Sequence, residues 1–213
     1  MKILALDSSG LVASVAVVEN DTLLAEYTVN YKKTHSQTLL PMLDEISNMT
    51  ELDLSTIDAI AVAGGPGSFT GLRIGSATAK GLGLALEKPL ISIPTTAAIA
   101  YNIWDTNKFV CPIMDARRNQ VYTGVYCYTD HRLDTVWEQD TMSIEALAEG
   151  LNCLDHEVIF LGDGVAVYRE KLEALLTIPF SFAPAHVNRQ RAAAVGALAE
   201  VYYKEGKIQT AEE

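Results

Sequence analysis

The residues best placed to do chemistry are the glycines and hydroxyl side chains of segment 64–75, which reads GGPGSFTGLRIG. The segment follows an apolar stretch and precedes a helix-like stretch, where free backbone N–H groups and the helix dipole favour an anion. It is not a P-loop, because that pattern requires Gly-Lys-Ser/Thr and no lysine occurs between Gly64 and Ala79. The dinucleotide pattern Gly-x-Gly-x-x-Gly does not fit either. The segment is therefore either an unusual anion site or a tight strand-to-helix turn.

Two aspartates that end apolar stretches mark a second candidate site. Asp7 is followed by two serines, whereas Asp115 is followed by alanine and Arg117. Turns of this kind bind phosphate when their backbone amides can approach it, which favours small residues. The side chain of Arg117 would crowd a metal-bound nucleotide, although a guanidinium can also bind phosphate directly. We interpret the two turns as a degenerate nucleotide site.

Metal ligands and catalytic groups are poorly represented in the sequence. His35 is the only histidine in a motif-like context, and a metal site on a helix would need a second histidine four residues later, where Leu39 stands. No Gly-x-Ser-x-Gly elbow occurs. We therefore predict no catalytic residue, no metal site and no bound cofactor in this chain.

The stretch after the glycine-rich segment predicts a helix over residues 71–87 with small residues on one side. Gly71, Gly75, Ala79 and Gly83 recur every four residues. A glycine inside a helix costs roughly 0.8–1 kcal/mol relative to alanine, so packing must recover that free energy. A stripe of small residues lets another backbone approach closely. The stripe therefore packs either against the protein's own sheet or against a helix of another chain.

Composition limits the class of protein. The chain has 213 residues, 49% of them hydrophobic, and a formal net charge of −11. Binding to nucleic acid relies on Lys and Arg that neutralise phosphates, so we expect no direct contact with RNA. No apolar run is long enough to span a bilayer, and the first residues do not resemble a signal peptide, so we expect a cytoplasmic protein without a membrane segment. Three cysteines without Cys-x-x-Cys spacing predict free thiols.

The pattern of apolar and turn-forming residues predicts the same element order twice, three strands followed by helix, strand and helix. This order predicts an α/β protein with the actin-like ATPase (ASKHA) fold, in which two related subdomains each have a mixed sheet flanked by helices. We place the subdomains at 1–106 and 107–213 and expect them to form one compact unit. The predicted strands are 3–7, 11–18, 23–31, 57–63, 90–93, 108–115, 120–128, 135–140 and 157–161, and the main predicted helices are 36–49, 71–87, 95–104, 168–176 and 190–205, with a further helix opening at Ser143.

Four segments together resemble the TsaB (YeaZ) family. They are ILALDSS at 3–9, HSQTLLP at 35–41, the glycine-rich string at 64–75, and DARRNQVY at 115–122. They occur in the family's order and at its spacing, so the resemblance covers essentially the whole chain. The resemblance implies an actin-like fold and a role in making threonylcarbamoyladenosine next to the tRNA anticodon. It also implies that the chemistry belongs to a related protein, TsaD, and that this chain is a non-catalytic scaffold.

The resemblance further implies how the chain meets its partners. TsaD would bind the helices 36–49 and 71–87, an ATPase called TsaE would dock at the TsaB–TsaD junction, and the chain alone would form a homodimer through the same helices. Two other functions stay open as alternatives: an autonomous ATP-dependent enzyme of the same fold, such as a small-molecule kinase, and a glycoprotease-like peptidase. The predicted partner contacts are Leu39, Met42, Leu43, Ile46, Leu72, Gly75 and Ala79.

Overall fold

The structure, a computed structural model, describes residues 1–31 and 38–211. The chain divides into two units, Met1–Ala98 together with Gln190–Glu213, and Ile99–Arg189. This division differs from the predicted subdomains 1–106 and 107–213, because the last stretch of the chain returns to the first unit. Contacts between residues far apart in sequence cause the return, and a local pattern cannot reveal them.

The first unit contains a five-stranded sheet in which the first three strands form an antiparallel meander. The fourth strand pairs parallel with the first, and the fifth pairs parallel with the fourth. The strand order is β3-β2-β1-β4-β5. The strands are β1 Lys2–Asp7, β2 Val12–Glu19, β3 Thr22–Asn30, β4 Ala59–Gly65 and β5 Leu90–Pro94.

Helices cover both faces of this sheet. Leu4 and Leu6 point to the face covered by α1 and α2, whereas Ala5 lies against Gly196 of α6 on the other face, as expected when successive side chains of a strand alternate. The predicted helix 36–49 begins at Leu39 within the described residues, and residues 36 and 37 lie outside them. The helices are α1 Leu39–Thr50, α2 Phe69–Leu86, α3 Thr95–Ala100 and, at the end of the chain, α6 Ala192–Lys204, with a short 3-10 turn at Leu54–Thr56.

Polar side chains of the meander hold the first turn of α6. The hydroxyl of Ser14 accepts a hydrogen bond of 2.9 Å from the backbone N–H of Ala192, and the Glu26 carboxylate accepts one of 3.1 Å from Ala193. Glu26 also forms an ion pair with Arg191. The free N–H groups at a helix start need such partners, so these side chains fix the last helix to the first unit.

The second unit repeats the topology of the first. Its five strands are ordered β10-β9-β6-β7-β8, which corresponds strand for strand to the first sheet, with β6 in the place of β1. Helices α4 and α5 pack on one face of this sheet over a core that contains Phe160 and Leu147. The elements are β6 Phe109–Arg117, β7 Gln120–Thr129, β8 Arg132–Ser143, α4 Ile144–Leu154, β9 Val158–Leu161, α5 Val165–Leu175 and β10 Phe180–Phe182.

The predicted duplication is therefore present, with β10 as an additional short strand that the sequence pattern did not indicate. Within residues 1–31 and 38–211, no helix is both long enough and apolar enough to cross a membrane.

Candidate functional site

The first acidic turn is buried, and one oxygen of its aspartate is bonded within the turn. Asp7, at the end of β1, has no exposed surface. Its Oδ1 accepts hydrogen bonds from the backbone N–H of Ser9 at 2.8 Å and from the Ser9 hydroxyl at 2.7 Å. The neighbouring Ser8 hydroxyl donates to the carbonyl of Gly71 at 2.9 Å. Oδ1 of Asp7 and the two serine hydroxyls therefore bind within the turn and to the start of α2.

The glycine-rich segment folds directly onto that turn. The backbone N–H of Ser68 donates to the Ser9 carbonyl at 2.7 Å, and the Ser68 hydroxyl caps α2 by accepting from Gly71 N–H at 3.3 Å. A Cβ on Gly67 would lie 2.3 Å from the Ser9 carbonyl oxygen, closer than any side chain can approach. The peptide bond before Pro66 is cis. Of the two interpretations of segment 64–75, the geometry matches the tight strand-to-helix turn.

The small-residue stripe of α2 packs against its own unit. Gly71, Gly75, Ala79 and Gly83 form the buried side of the helix. A Cβ on Gly75 would lie 2.5 Å from the Ser8 hydroxyl, and one on Gly83 would lie 2.9 Å from a methyl of Leu90. The first of the two interpretations of the stripe is therefore correct, because the sheet already occupies the space beside it.

Most of the predicted partner contacts are buried within the first unit. The side chains predicted on α1 are at most 5% exposed and lie in the core of the first unit. A partner cannot reach them, or Gly75 and Ala79, while the unit stays folded. Helical spacing showed which residues share a face, but not that this face is the one turned toward the sheet. Six of the seven residues are buried in this way, and Leu72 is half-buried; the six are Leu39, Met42, Leu43, Ile46, Gly75 and Ala79.

The opposite sides of the same two helices are open. Leu40 of α1 is 52% exposed and Leu84 of α2 is 57% exposed. Around Gly81 no atom would lie within 4 Å of an added Cβ. A shallow depression there is lined by Leu40, Ala77, Thr78, Gly81 and Leu82. The exposed sides of α1 and α2 thus present apolar and small residues to solvent.

The second acidic turn has an equivalent hydrogen bond between its aspartate and the backbone, but it is exposed to solvent. Oδ1 of Asp115 accepts from the backbone N–H of Arg117 at 3.0 Å and from the Tyr168 hydroxyl at 3.1 Å. Burial and this bond to Asp115 raise the pKa of the Tyr168 hydroxyl. The Arg117 side chain is 84% exposed, with its guanidinium 3.5 Å from Asp115. Arg117, Arg118 and Asn119 all adopt positive φ angles, of 69°, 51° and 63°.

Beside this turn lies an acid that the sequence interpretation missed. Gly162, with φ of 102°, approaches the carbonyl of Ile113 so closely that a Cβ would lie 2.2 Å from its oxygen. The next residue is Asp163, whose Oδ1 is buried without a hydrogen-bond partner among the described residues. Burial raises the pKa of the Asp163 carboxyl, and Arg189 opposes that shift. The string Gly-Asp-Gly after an apolar strand was the available signal.

Metal ligands are not clustered in the part of the chain that the structure describes, and its buried thiol is protonated. Burial raises the pKa of the Cys111 thiol to about 12, which makes that thiol unreactive. Within the described ranges, no three His, Cys, Asp or Glu side chains lie close enough to hold a metal ion. His35, the histidine singled out from the sequence, lies outside the described residues.

Two curated relatives decide the family. The chain is 35% identical over 176 residues to TsaB of Bacillus subtilis (strain 168), which is named a tRNA threonylcarbamoyladenosine biosynthesis protein; the match covers 83% of this chain and 77% of that protein. It is 33% identical over 170 residues to TsaB of Escherichia coli (strain K12), a match that covers 77% of this chain and 72% of that protein. The chain belongs to the TsaB family.

Other comparisons agree with the TsaB assignment. The family model described as TsaD, tRNA N6-adenosine threonylcarbamoyltransferase, matches residues 22–213. The fold is similar to YeaZ from Pseudomonas aeruginosa, with a TM-score of 0.85, 27% identity, and coverage of 100% of this chain and 96% of that chain. The inorganic polyphosphate/ATP-glucomannokinase from Arthrobacter sp. strain KM shares the fold alone, with a TM-score of 0.56, 16% identity, and coverage of 95% and 99%. The predicted actin-like ATPase fold is confirmed.

Proposed function

We propose that this TsaB-family chain is a non-catalytic subunit that supports TsaD, together with TsaE, in forming threonylcarbamoyladenosine next to the tRNA anticodon. One observation carries the non-catalytic part of the proposal. One carboxylate oxygen of each acidic turn is held by donors of its own chain, Oδ1 of Asp7 by Ser9 and Oδ1 of Asp115 by Arg117 and Tyr168. Oxygens held in this way fix the backbone of each turn, which supports a structural role for both aspartates.

The pathway follows from the relatives, whose names place them in threonylcarbamoyladenosine biosynthesis. The match to the TsaD family model supports a partner of related sequence. With a net charge of −11, this chain repels a polyanion on average, so TsaD is the subunit that holds the tRNA. We place this work in the cytoplasm.

The exposed sides of α1 and α2 are the surface that we assign to TsaD. Leu40 and Leu84 expose 52% and 57% of their surface there. Fully burying a leucine side chain is worth about 1.5–3 kcal/mol, so covering the exposed half of one is worth about half of that. The open space around Gly81 would let a partner helix approach. In the absence of TsaD a second copy covers the same surface, and TsaE docks where TsaB and TsaD meet.

A charge introduced at Gly81 tests this assignment. Because nothing lies within 4 Å of its Cβ position, Gly81→Glu leaves the isolated chain folded but puts a carboxylate into the proposed interface. We expect light scattering on mixtures with TsaD from the same source to show loss of the complex. Thr135→Glu is the matched control, since it adds the same charge at an exposed position of β8. A folded Gly81→Glu variant that still binds TsaD and supports modification would refute the interface.

Calorimetry with ATP and Mg²⁺ tests the non-catalytic role separately. Since Oδ1 of the aspartate in both turns is bonded within the chain, we expect no ATP binding at these turns tighter than about 100 µM, which corresponds to about −5.5 kcal/mol. Tighter binding, abolished by Asp7→Ala or Asp115→Ala in a folded protein, would instead support the autonomous ATP-dependent enzyme.

A further inference from the structure

A groove in the first unit, between α2 and β5, is not used by the function proposed above. It encloses about 300 Å³, at the lower end of the range for small-molecule sites. Its walls come from the side of α2 that faces away from α1, from β4 and β5, and from the segment near Gln209 that pairs with Leu90. Its lining includes Phe69, Arg73, Ser76, Lys80 and Ser92.

The charge of this groove is opposite to that of the whole chain. Its lining contains two cations, Arg73 and Lys80, and no acidic residue, although acids outnumber bases in the chain by 11. Neither cation forms an ion pair with any residue in the ranges 1–31 and 38–211. The Arg73 guanidinium instead lies 3.9 Å above the ring of Phe69, which is itself 68% exposed. Two cations are thus left without a counter-charge in a concave site.

The spacing of these groups fits one anionic ligand. Arg73, Ser76 and Lys80 are separated by three and then four residues, so they share a side of α2 with the serine in the middle. At a rise of 1.5 Å per residue, the backbone positions of Arg73 and Lys80 are roughly 10 Å apart along the helix axis. Both side chains are long enough for their charged groups to reach one ligand. The hydroxyl of Ser92 faces them from β5, over Gly64, where a Cβ would lie only 2.1 Å from that oxygen.

These groups are hydrogen-bond donors suited to phosphoryl oxygens. A guanidinium binds phosphate through two parallel N–H bonds, an ammonium adds a point charge, and serine hydroxyls donate to the remaining oxygens. We propose that the groove binds a small molecule that carries a phosphate or pyrophosphate group. The exposed face of Phe69, already covered by Arg73 on one side, would contact an apolar part of the same molecule.

An RNA strand is the less suitable occupant. RNA binding needs a stripe of cations that neutralises several consecutive phosphates, and the lining offers two. The acidic excess of the chain opposes any longer contact with a polyanion. The proposal is independent of the assignment of the TsaD surface, because Gly81 is not part of this groove.

Calorimetric titration of the full chain with inorganic phosphate and with pyrophosphate, at low salt, tests the proposal. We expect saturable binding of pyrophosphate with a dissociation constant of about 1 mM or tighter, weakening as sodium chloride is added. Arg73→Gln and Lys80→Gln should each weaken binding by about tenfold, and Ser76→Ala by a few-fold. Arg132→Gln, which removes one exposed cation from the second unit, should leave it unchanged.

Several results would overturn the proposal. They are the absence of saturable phosphate or pyrophosphate binding to the wild-type chain, an equal loss in Arg132→Gln, and unchanged binding in folded Arg73→Gln and Lys80→Gln. A short RNA that binds more tightly than pyrophosphate and is displaced by it would show that the groove serves a polymer instead. Circular dichroism on each variant confirms that the fold is retained, and all the substituted side chains lie at the surface or half-buried.

Discussion

The turns after Asp7 and Asp115 stand at the same place in two units of the same topology, yet they are built differently. In both, the aspartate accepts a hydrogen bond from the backbone N–H two residues later, at 2.8 Å and 3.0 Å. The first turn is then covered by the glycine-rich segment, whereas the second keeps an 84% exposed arginine at that third position. Both units therefore contain the same hydrogen bond between aspartate and backbone. The residues packed around each turn determine whether a ligand could reach it.

A second comparison concerns the glycines that follow the fourth strand of each sheet. Gly67 follows β4, and a Cβ on it would lie 2.3 Å from the Ser9 carbonyl oxygen. Gly162 follows β9, and a Cβ on it would lie 2.2 Å from the Ile113 carbonyl oxygen. In each unit the chain leaving the fourth strand must pass directly over the first strand or its turn. Glycine is required there because any Cβ would overlap a backbone oxygen, which cannot move aside.

The largest expected effect comes from breaking this close approach. Gly67→Ala and Gly162→Ala should each destabilise the protein by about 3 kcal/mol, since both force backbone to shift. Gly81→Ala is the matched control, because its Cβ position is open, and it should gain up to about 1 kcal/mol from helix propensity. Urea denaturation measures all three. Equal stability of Gly67→Ala and Gly81→Ala would show that the glycine-rich segment 64–75 does not pack closely against the turn after Asp7.

Removing each aspartate should separate the buried turn from the open one. Asp7→Ala leaves the N–H and hydroxyl of Ser9 without their acceptor in a fully buried place, and we expect a loss of about 2–3 kcal/mol. Asp115→Ala should cost about 1 kcal/mol, because water can reach the donors of the exposed turn. Thermal or urea denaturation of the two variants gives the comparison. A larger loss for Asp115→Ala would reverse our assignment of the open and closed turns.

A smaller change in the free energy of unfolding is expected from the left-handed backbone of the second turn. Arg117 has φ of 69°, which costs a non-glycine residue about 1 kcal/mol. Arg117→Gly should therefore raise the free energy of unfolding by up to about 1 kcal/mol, despite losing an exposed ion pair that is worth little. Arg132→Gly at the start of β8, a position without a positive φ, should lower it. Destabilisation by Arg117→Gly would mean that the arginine itself holds the turn.

The smallest effect concerns Asp163 and depends on pH. Its pKa is raised by burial above the ordinary 3.8, so the folded protein binds this proton more tightly than the unfolded chain. Stability from this group is therefore present at low pH and is lost as the pH rises through the raised pKa. Asp163→Asn should stabilise the protein at neutral pH, with a gain that shrinks as the pH falls toward 3.8. Unfolding measured between pH 4 and 8 checks this, and a gain that grows on acidification would contradict it.

Much of the fold could be predicted because its signals are local. The β-branched stretches, the glycine-rich turn and the helical spacing in 71–87 each depend on neighbouring residues, and the repeated order of elements revealed the duplication. The place of α6 could not be predicted in this way, since the contacts of Ser14 and Glu26 with its first turn join residues far apart in sequence.

The candidate site was harder to predict for a related reason. A period of four showed that Gly75 and Ala79 share a closely packed face, but spacing alone does not say what packs against it. The structure shows the sheet there, so the surface available to a partner lies on the opposite side, with Leu40 and Leu84. Asp163 was missed because its burial arises only when the chain leaving β9 passes over Ile113.

The most direct test of the central claim is a reconstituted modification reaction with unmodified tRNA, ATP and the threonylcarbamoyl donor system. Threonylcarbamoyladenosine is quantified by mass spectrometry after incubation with this chain alone, with TsaD and TsaE from the same source, and with all three. We predict no product from the chain alone and a large increase when it joins TsaD and TsaE. Product formed by the highly purified chain alone, or an unchanged yield when it is added, would contradict the account.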